Sequence, residues 1–143
     1  MKKTLFVFAD GGARGNPGPA AVGFLVKDNQ GKVLVRQGKY IGRATNNVAE
    51  YMAVIEALGW LKKNLVGPNR SVDVIKFFLD SKLVVNQLSG VFKIKNKNLR
   101  DLVIKVRKLE QAVGGNTAYH YWSREKNKQA DFLVNQALDE YNP

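Results

Sequence analysis

The sequence predicts an α/β fold, a single mixed sheet with helices on both faces. Three observations lead there. Two apolar runs of strand length, TLFVFA (residues 4–9) and VIKFFL (74–79), are each followed at once by an acid, and continuous apolar runs mark central strands covered on both sides. Three longer stretches place their apolar residues at helical spacing. From the middle of the chain onward the two patterns alternate, which requires crossover connections.

The elements follow in order. Residues 4–9 form the first strand, and 20–27 and 32–41 the next two, joined by DNQG (28–31), a hairpin signal that closes on glycine. The first third is therefore an antiparallel meander. Over 46–63 the period changes, and Tyr51, Val54, Ile55, Leu58 and Leu61 share one helix face. VGPN (66–69) breaks that helix, and 74–79 is the fourth strand. Ser81 can cap a short helix through Leu88. Residues 98–112 form an amphipathic helix with Leu99, Leu102, Val103, Val106 and Leu109 inside. GGN (114–116) turns the chain into a fifth strand at 117–122, and 127–140 is the last helix, with Ala130, Leu133, Val134, Ala137 and Leu138 inward. The order βββαβααβα fills one domain over residues 1–143, with no linker, repeat or low-complexity tract.

Composition narrows the function. At 143 residues and 45% apolar content the chain can bury a substantial core. It has no cysteine, which excludes disulfides and thiolate zinc sites. The start MKKTLFVFAD imitates a secretory signal, but its apolar run ends at Asp10 after about six residues, short of the roughly 7–15 required. Nothing approaches the ~20 apolar residues of a membrane span. A soluble, cytoplasmic monomer without membrane attachment is expected. The 23 Lys and Arg outnumber the 12 Asp and Glu, for a net charge of +11. Such an excess favours a polyanionic partner, nucleic acid ahead of anionic membrane. A protein that is basic without a polyanionic partner is the alternative.

Most acids sit where solvent charges belong. Asp28 is in a turn, Glu56 is on the polar side of its helix near Lys63, and Asp139 and Glu140 close the last helix. Four do not fit. Asp10 and Asp80 each end an apolar strand, and ligands of open α/β sheets bind at that carboxyl edge. Glu50 shares a helix face with Val54, Ala57 and Leu61, so it points inward. Asp131 lies early in the last helix, at the margin of its apolar stripe. Each acid alone could pair with one of the many bases. Four together repel and raise one another's pKa, and a divalent cation resolves the conflict. Hard oxygen ligands select Mg²⁺ or Mn²⁺ over zinc. Setting these four aside leaves 23 bases against eight acids, a formal +15. An acidic metal site in a basic shell suits a nuclease.

The loop GGARGNPG matches neither GxGxxG nor the Walker pattern, and a strand follows it. It is either a tight strand connection or a place where backbone amides and Asn16 approach a ligand. TNN (45–47) is likewise either a helix cap or a polar contact beside Glu50.

Four segments, DGGARGNPGPAAVGF, ATNNVAEYMAVIEAL, FLDSKLVVNQLSG and REKNKQADFLVNQAL, resemble the signature blocks of type 1 ribonuclease H. They occur in the family's order and span nearly the whole chain. The resemblance implies a ribonuclease H-like sheet of strand order 3-2-1-4-5. It also implies an endonuclease that hydrolyses the RNA strand of RNA–DNA hybrids and leaves 5′-phosphate and 3′-hydroxyl ends. Asp10, Glu50, Asp80 and Asp131 would be the catalytic tetrad holding two Mg²⁺, with Mn²⁺ as a substitute. The implied chemistry is in-line attack by water activated at one ion, with the other at the leaving oxygen roughly 3.5–4 Å away. The backbone at Gly11, Gly12 and Gly15, with Asn16 and Asn46, would read 2′-hydroxyls. Arg43, Thr45 and Asn47 would hold nucleic-acid backbone, Arg43 and Thr45 on the DNA phosphate, and Ser81 joins the substrate contacts.

The chain departs from the family twice. Many members carry a histidine in the loop before the last helix. Here that loop is SREKN (123–127), with Arg124 as a substitute near the scissile phosphate. The only histidine, His120, sits in a strand, where packing is the expected role. The long basic insertion of many bacterial members is also absent. In its place GVFKIKNKN (90–98) is either a reduced DNA-facing patch of Phe92, Lys93, Lys95 and Lys97 or a solvated linker. Two rival functions use the same fold. A non-catalytic hybrid-binding module is disfavoured by the intact acids. A DNA-cutting resolvase or integrase is disfavoured by the hydroxyl-reading residues.

Overall fold

A computed structural model describes residues 3–91 and 93–141. Its elements are β1 (Thr4–Ala13), β2 (Gly18–Lys27), β3 (Val33–Ala44), α1 (Asn46–Leu65), β4 (Val74–Leu79), α2 (Lys82–Leu88), α3 (Lys97–Val113), β5 (Asn116–Tyr121) and α4 (Lys128–Tyr141). A 3₁₀ turn at Arg124–Lys126 leads into α4. The five strands form one sheet in the order β3-β2-β1-β4-β5. β1, β2 and β3 pair antiparallel, and β4 is parallel to both β1 and β5. This is the expected fold and strand order.

The main core lies between the sheet and the helices α1 and α3. β1 contributes Leu5, Val7 and Ala9, and β4 contributes Ile75, Phe77 and Leu79. Against them α1 buries Tyr51, Val54, Leu58 and Leu61, as its periodicity predicts. Each such side chain contributes roughly 1.5–3 kcal/mol on burial. Thr45 caps α1 by accepting from the Val48 amide (3.2 Å), and Lys62 and Lys63 sit in the last turn, favourably placed for the helix dipole. Glu56 pairs with Lys39 of β3 at 2.9 Å rather than with Lys63. Tyr119 of β5 donates to Glu110 of α3 (2.6 Å), whose carboxylate also holds Arg107.

Two expectations are corrected. β1 does not stop at Asp10. It continues to Ala13, paired with β2 as far as Ala13↔Ala20. Gly11 and Gly12 are therefore strand residues, and the turn proper is Arg14–Pro17. What ends near Asp10 is the parallel pairing, since the last β1–β4 match is Phe8↔Phe78. β1 and β4 are also not covered on both faces. Burial alternates along them, and Phe6, Phe8 and Phe78 remain half-exposed. α4 packs on the second face over β2, β3 and the far part of β1, around Ala21, Val134 and Leu138. Large aromatic residues on the remaining part mimic a buried strand in sequence.

β1 and α1 meet at unusually short range. A Cβ added at Gly11 would lie 2.1 Å from the carbonyl oxygen of Ala49, a backbone atom that cannot swing aside. Gly11→Ala is expected to lower stability by about 3 kcal/mol or more, beyond ordinary overpacking. Urea unfolding measures it, and a loss under about 1 kcal/mol would show that the strand and helix can separate without penalty.

Candidate active site

Four elements bring acids to one edge of the sheet. Asp10 projects from β1 toward the α4 side, Glu50 from the first turns of α1, Asp80 from just past β4, and Asp131 from the first turn of α4. The register explains the first pairing. Phe8 and Phe78 are matched, so Asp10 and Asp80, each two residues further on, emerge level on the same face. Asp10 and Glu50 are 5% and 7% exposed, and the Asp80 side chain is 3% exposed.

Asp10, Glu50 and Asp80 each offer a carboxylate oxygen, and these lie within 4.8 Å of one another. Asp131 is not in that cluster. It lines the same cleft of about 470 Å³, half-buried, and its charge is close enough to act on Asp10. The sequence grouped four acids as equals, and the structure shows a tight triad with a fourth acid at its rim.

The triad is electrostatically strained. Burial, and then the charges of Asp80 and Asp131, push the Asp10 carboxyl up to about 7, against a hydrogen bond from Glu50 and the Arg124 charge that draw it down. Burial and the neighbouring Asp10 push Glu50 well above the usual carboxylate range, eased slightly by the Gly11 amide, which donates to Glu50 Oε1 at 3.4 Å. Glu50 Oε2 and Asp80 Oδ2 are sheltered from solvent with no hydrogen-bond partner. Asp80 Oδ2 has only a long ion-pair contact, 3.5 Å from Nε of Arg124, itself 83% exposed. Converging hard oxygens, two of them without partners, fit a hard divalent cation.

The other expected site residues gather around this cleft in two ways. Gly12, Asn46, Asn47, Ser81 and Arg124 line it directly. Asn16 and Thr45 line a neighbouring groove of about 300 Å³, shared with Asn46, Asn47, Asn96 and Asn98. Several have structural partners. The Asn16 side chain accepts from the Asn46 amide (3.0 Å), and the Asn46 side chain accepts from the Ala13 amide (2.9 Å). Together they lock the turn to the start of α1. Gly11 is buried against α1, Gly15 has φ +101°, and exposed Arg43 reaches the Pro17 carbonyl at 3.4 Å. Ser81 caps α2 by accepting from the Val84 amide at 3.3 Å. His120 is exposed and stacks on Phe78 at 5.4 Å, away from the carboxylates.

Two contributions were missed from sequence. Asn127 is 2% exposed and donates through Nδ2 to the carbonyl of Ala9 (3.0 Å), pinning the start of α4 beside Asp10. A buried asparagine just before a helix was its only signal. Asn96 and Asn98 extend the groove from the segment considered a linker. In that segment Lys93, Lys95 and Lys97 are exposed, Ile94 packs partly on the core, and Phe92 lies outside the described residues.

Comparison with known proteins decides the family. The family model described as "Reverse transcriptase-like" matches residues 8–137. Ribonuclease HI of Halobacterium salinarum is 38% identical over 95% of this chain. The chain belongs to the type 1 ribonuclease H family. It spans 65% of the length of that Halobacterium relative, and 35% of a bifunctional protein of Mycobacterium tuberculosis that is 40% identical over 94% of this chain. Among solved structures, RNase H1 of Halobacterium salinarum superposes with a TM-score of 0.85 at 36% identity, covering 96% of this chain and 98% of that one. LC11-RNase H1, solved with an RNA/DNA hybrid, superposes with a TM-score of 0.90 at 38% identity, covering 99% of this chain and all of that one. The type 1 ribonuclease H identity agrees with the acids the fold brings together.

The raised Asp10 has a consequence for stability. Its carboxyl titrates near 3.8 when unfolded and about 7 when folded. The stability it contributes is therefore full below about pH 4 and lost as pH rises through 7. That loss is on the order of 2–4 kcal/mol. In EDTA at pH 8, Asp10→Asn should raise the melting temperature by roughly 5–10 °C, with the gain vanishing near pH 4. Calorimetry on both proteins tests it, and equal melting at pH 8 would refute the strain.

Proposed function

We propose that this protein is an endonuclease that hydrolyses the RNA strand of RNA–DNA hybrids, using Mg²⁺ held by Asp10, Glu50 and Asp80 with Asp131 at the rim. The observation that carries the reading is the buried triad, two of whose oxygens accept no hydrogen bond, set in a chain of net charge +11. A structural acid cluster would be expected to find close basic partners, of which this chain has many, whereas the triad has one long contact to an exposed arginine. Family membership and the hybrid-bound relative support the substrate class.

The residues have distinct tasks. Asp10, Glu50 and Asp80 would hold the ions. Divalent metal there would acidify the attacking water and stabilise charge on the leaving 3′ oxygen. Asp131, half-buried on α4, accepts protons or orients water at the cleft's margin. Arg124, anchored loosely to Asp80 and largely exposed, places a cation where the scissile phosphate enters. Gly12 and the free amide groups of Asn16 and Asn46 face the ribose, while Arg43, Thr45 and Asn47 hold the backbone, with Ser81 beside Asp80. Exposed Lys93, Lys95 and Lys97 extend the DNA-facing side. A cytoplasmic monomer fits the lack of cysteine; none of the described helices is long and apolar enough to cross a membrane.

A labelled RNA–DNA hybrid, an RNA duplex and a DNA duplex, each with Mg²⁺, Mn²⁺ or EDTA, test the proposal on one gel. Cleavage of the hybrid's RNA strand with Mg²⁺ and none in EDTA is expected. Asp10→Asn and Asp80→Asn should each slow it by about a thousandfold or more, the scale of losing one stabilising group at developing charge. Hybrid left uncut in both metals, or comparable cleavage of the all-DNA duplex, would overturn it.

Hybrid binding should weaken steeply with salt, because the partner is a polyphosphate. Affinity measured from about 50 to 200 mM salt checks this. A flat response would contradict the electrostatic role of the basic surface.

A further inference from the structure

The sheet face left bare by α4 carries an ordered set of rings. Phe78 stacks on Phe8 at 5.0 Å and on His120 at 5.4 Å, with interplanar angles of 17° and 27°. Phe6 extends the row at 6.4 Å and 15°. Trp122 closes it edge-on, 4.6 Å from Phe78 and 5.3 Å from Phe8. All but His120 are half-exposed, and His120 is exposed. A contiguous apolar patch of this kind marks a contact surface.

Its charge is one-sided. Lys27 lies over Phe8 at 5.4 Å, Lys76 over Phe6 at 5.8 Å and Lys126 over Trp122 at 5.9 Å. By register, the outward positions of β1, β4 and β5 before the carboxylate edge are Thr4, Phe6 and Phe8; Val74, Lys76 and Phe78; and Asn116, Ala118 and His120. None is acidic. Asp28, at the nearby hairpin, is bonded to its own loop amides, and Asp73 to the Lys3 amide. A hollow of about 280 Å³ under the start of α4, lined by Phe8, Leu25 and Trp122, gives this surface relief.

We propose that this face is a stacking platform for single-stranded nucleic acid. Aligned rings take bases, and lysines at their margins take phosphates, the combination that binds single strands with little sequence preference. Every base has a π face, and no group here is placed to single out a 2′-hydroxyl, so the platform accepts either sugar. In the free protein the lysine ammonium groups lie over the rings, and an arriving base displaces them outward to the phosphates. Phe8 and Phe78 precede Asp10 and Asp80 by two residues on the same sheet face, about 6.6 Å along each strand, and the segment Arg124–Lys128, three bases and Glu125, is pinned beside them through Asn127 and Ala9. The platform is thus a second site adjoining the cleft, suited to a strand that has left a duplex. Its existence does not depend on the activity proposed above.

A fluorescein-labelled dT12 oligonucleotide tests it on the active protein, because the probe contains no RNA to cut. Saturable, strongly salt-dependent binding is expected. The double variant Lys27→Glu with Lys76→Glu, and separately Phe78→Leu, should each weaken it about tenfold, with cleavage of a blunt-ended hybrid unchanged. The lysine variant alters only surface charge and so remains informative if Phe78→Leu lowers stability. Absence of dT12 binding at about 50 mM salt overturns the proposal. So does binding that survives both variants but is lost in Arg43→Ala, which would place the strand in the hybrid groove. A dimer in sedimentation that Phe78→Leu dissolves would assign the face to a second copy instead.

Discussion

The site depends on one close approach, the backbone of β1 against the backbone of α1 at Gly11 and Ala49. Only a residue without a Cβ permits it. The next residue of α1 is Glu50 and the preceding residue of β1 is Asp10, so the contact that closes the core also presses two carboxylates together. Their repulsion and desolvation disfavour that arrangement. The packing around it opposes their separation, since α1 cannot withdraw Glu50 without uncovering Tyr51, Val54 and Leu58. Gly11 serves twice, because its amide is also the donor that eases Glu50. The carboxylate strain is local, and the apolar core that maintains it is distributed over three helices and four strands.

The same double use runs through the groove beside the triad. Asn16 and Asn46 form a short chain of hydrogen bonds, from the turn to the cap of α1 and back to the end of β1. Each bond uses a side-chain oxygen and leaves the amide nitrogen for another acceptor. Thr45 and Ser81 cap helices whose first turns border the acids. A residue held by such bonds is already ordered, so a ligand meeting it would not have to freeze it. This is why the sequence left TNN balanced between cap and contact. Thr45 is the cap, and the proposed function gives the same segment a contact as well, so propensity cannot separate the two readings.

The element order was legible because periodicity changes sharply at Thr45, at Val66 and again after Gly90. Glu50 was legible because an acid on an apolar helix face stands out. Exposure of the β1 and β4 faces was not. TLFVFA buried on both sides and TLFVFA with outward rings stacked on a neighbour have the same composition, and only the position of α4 distinguishes them. The distance of Asp131 from the other three acids was not legible for a related reason. Helical spacing puts it on the margin of a stripe, but its distance from the triad is set by where Asn127 pins the helix to Ala9. That long-range side-chain bond leaves no periodic trace.

The length of α4 and the point where it is pinned therefore divide one sheet face into two chemistries. On the side of the pin toward the end of β1, the helix shelters Asp10 and Asp131 from water, which raises the electrostatic penalty of the acids and the gain from a bound cation. On the other side the strands are bare, and aromatic residues occupy the positions that a longer or shifted helix would cover. The step from ring to acid takes two residues on both β1 and β4. Parallel pairing matches Phe8 with Phe78 and so brings Asp10 level with Asp80. A one-residue slip of β4 against β1 would turn Asp80 toward the apolar core, and Phe78 with it, and leave Asp10 without its level partner. The stacked phenylalanines on the uncovered face thus help fix the register that places the carboxylates on the other side of the pin.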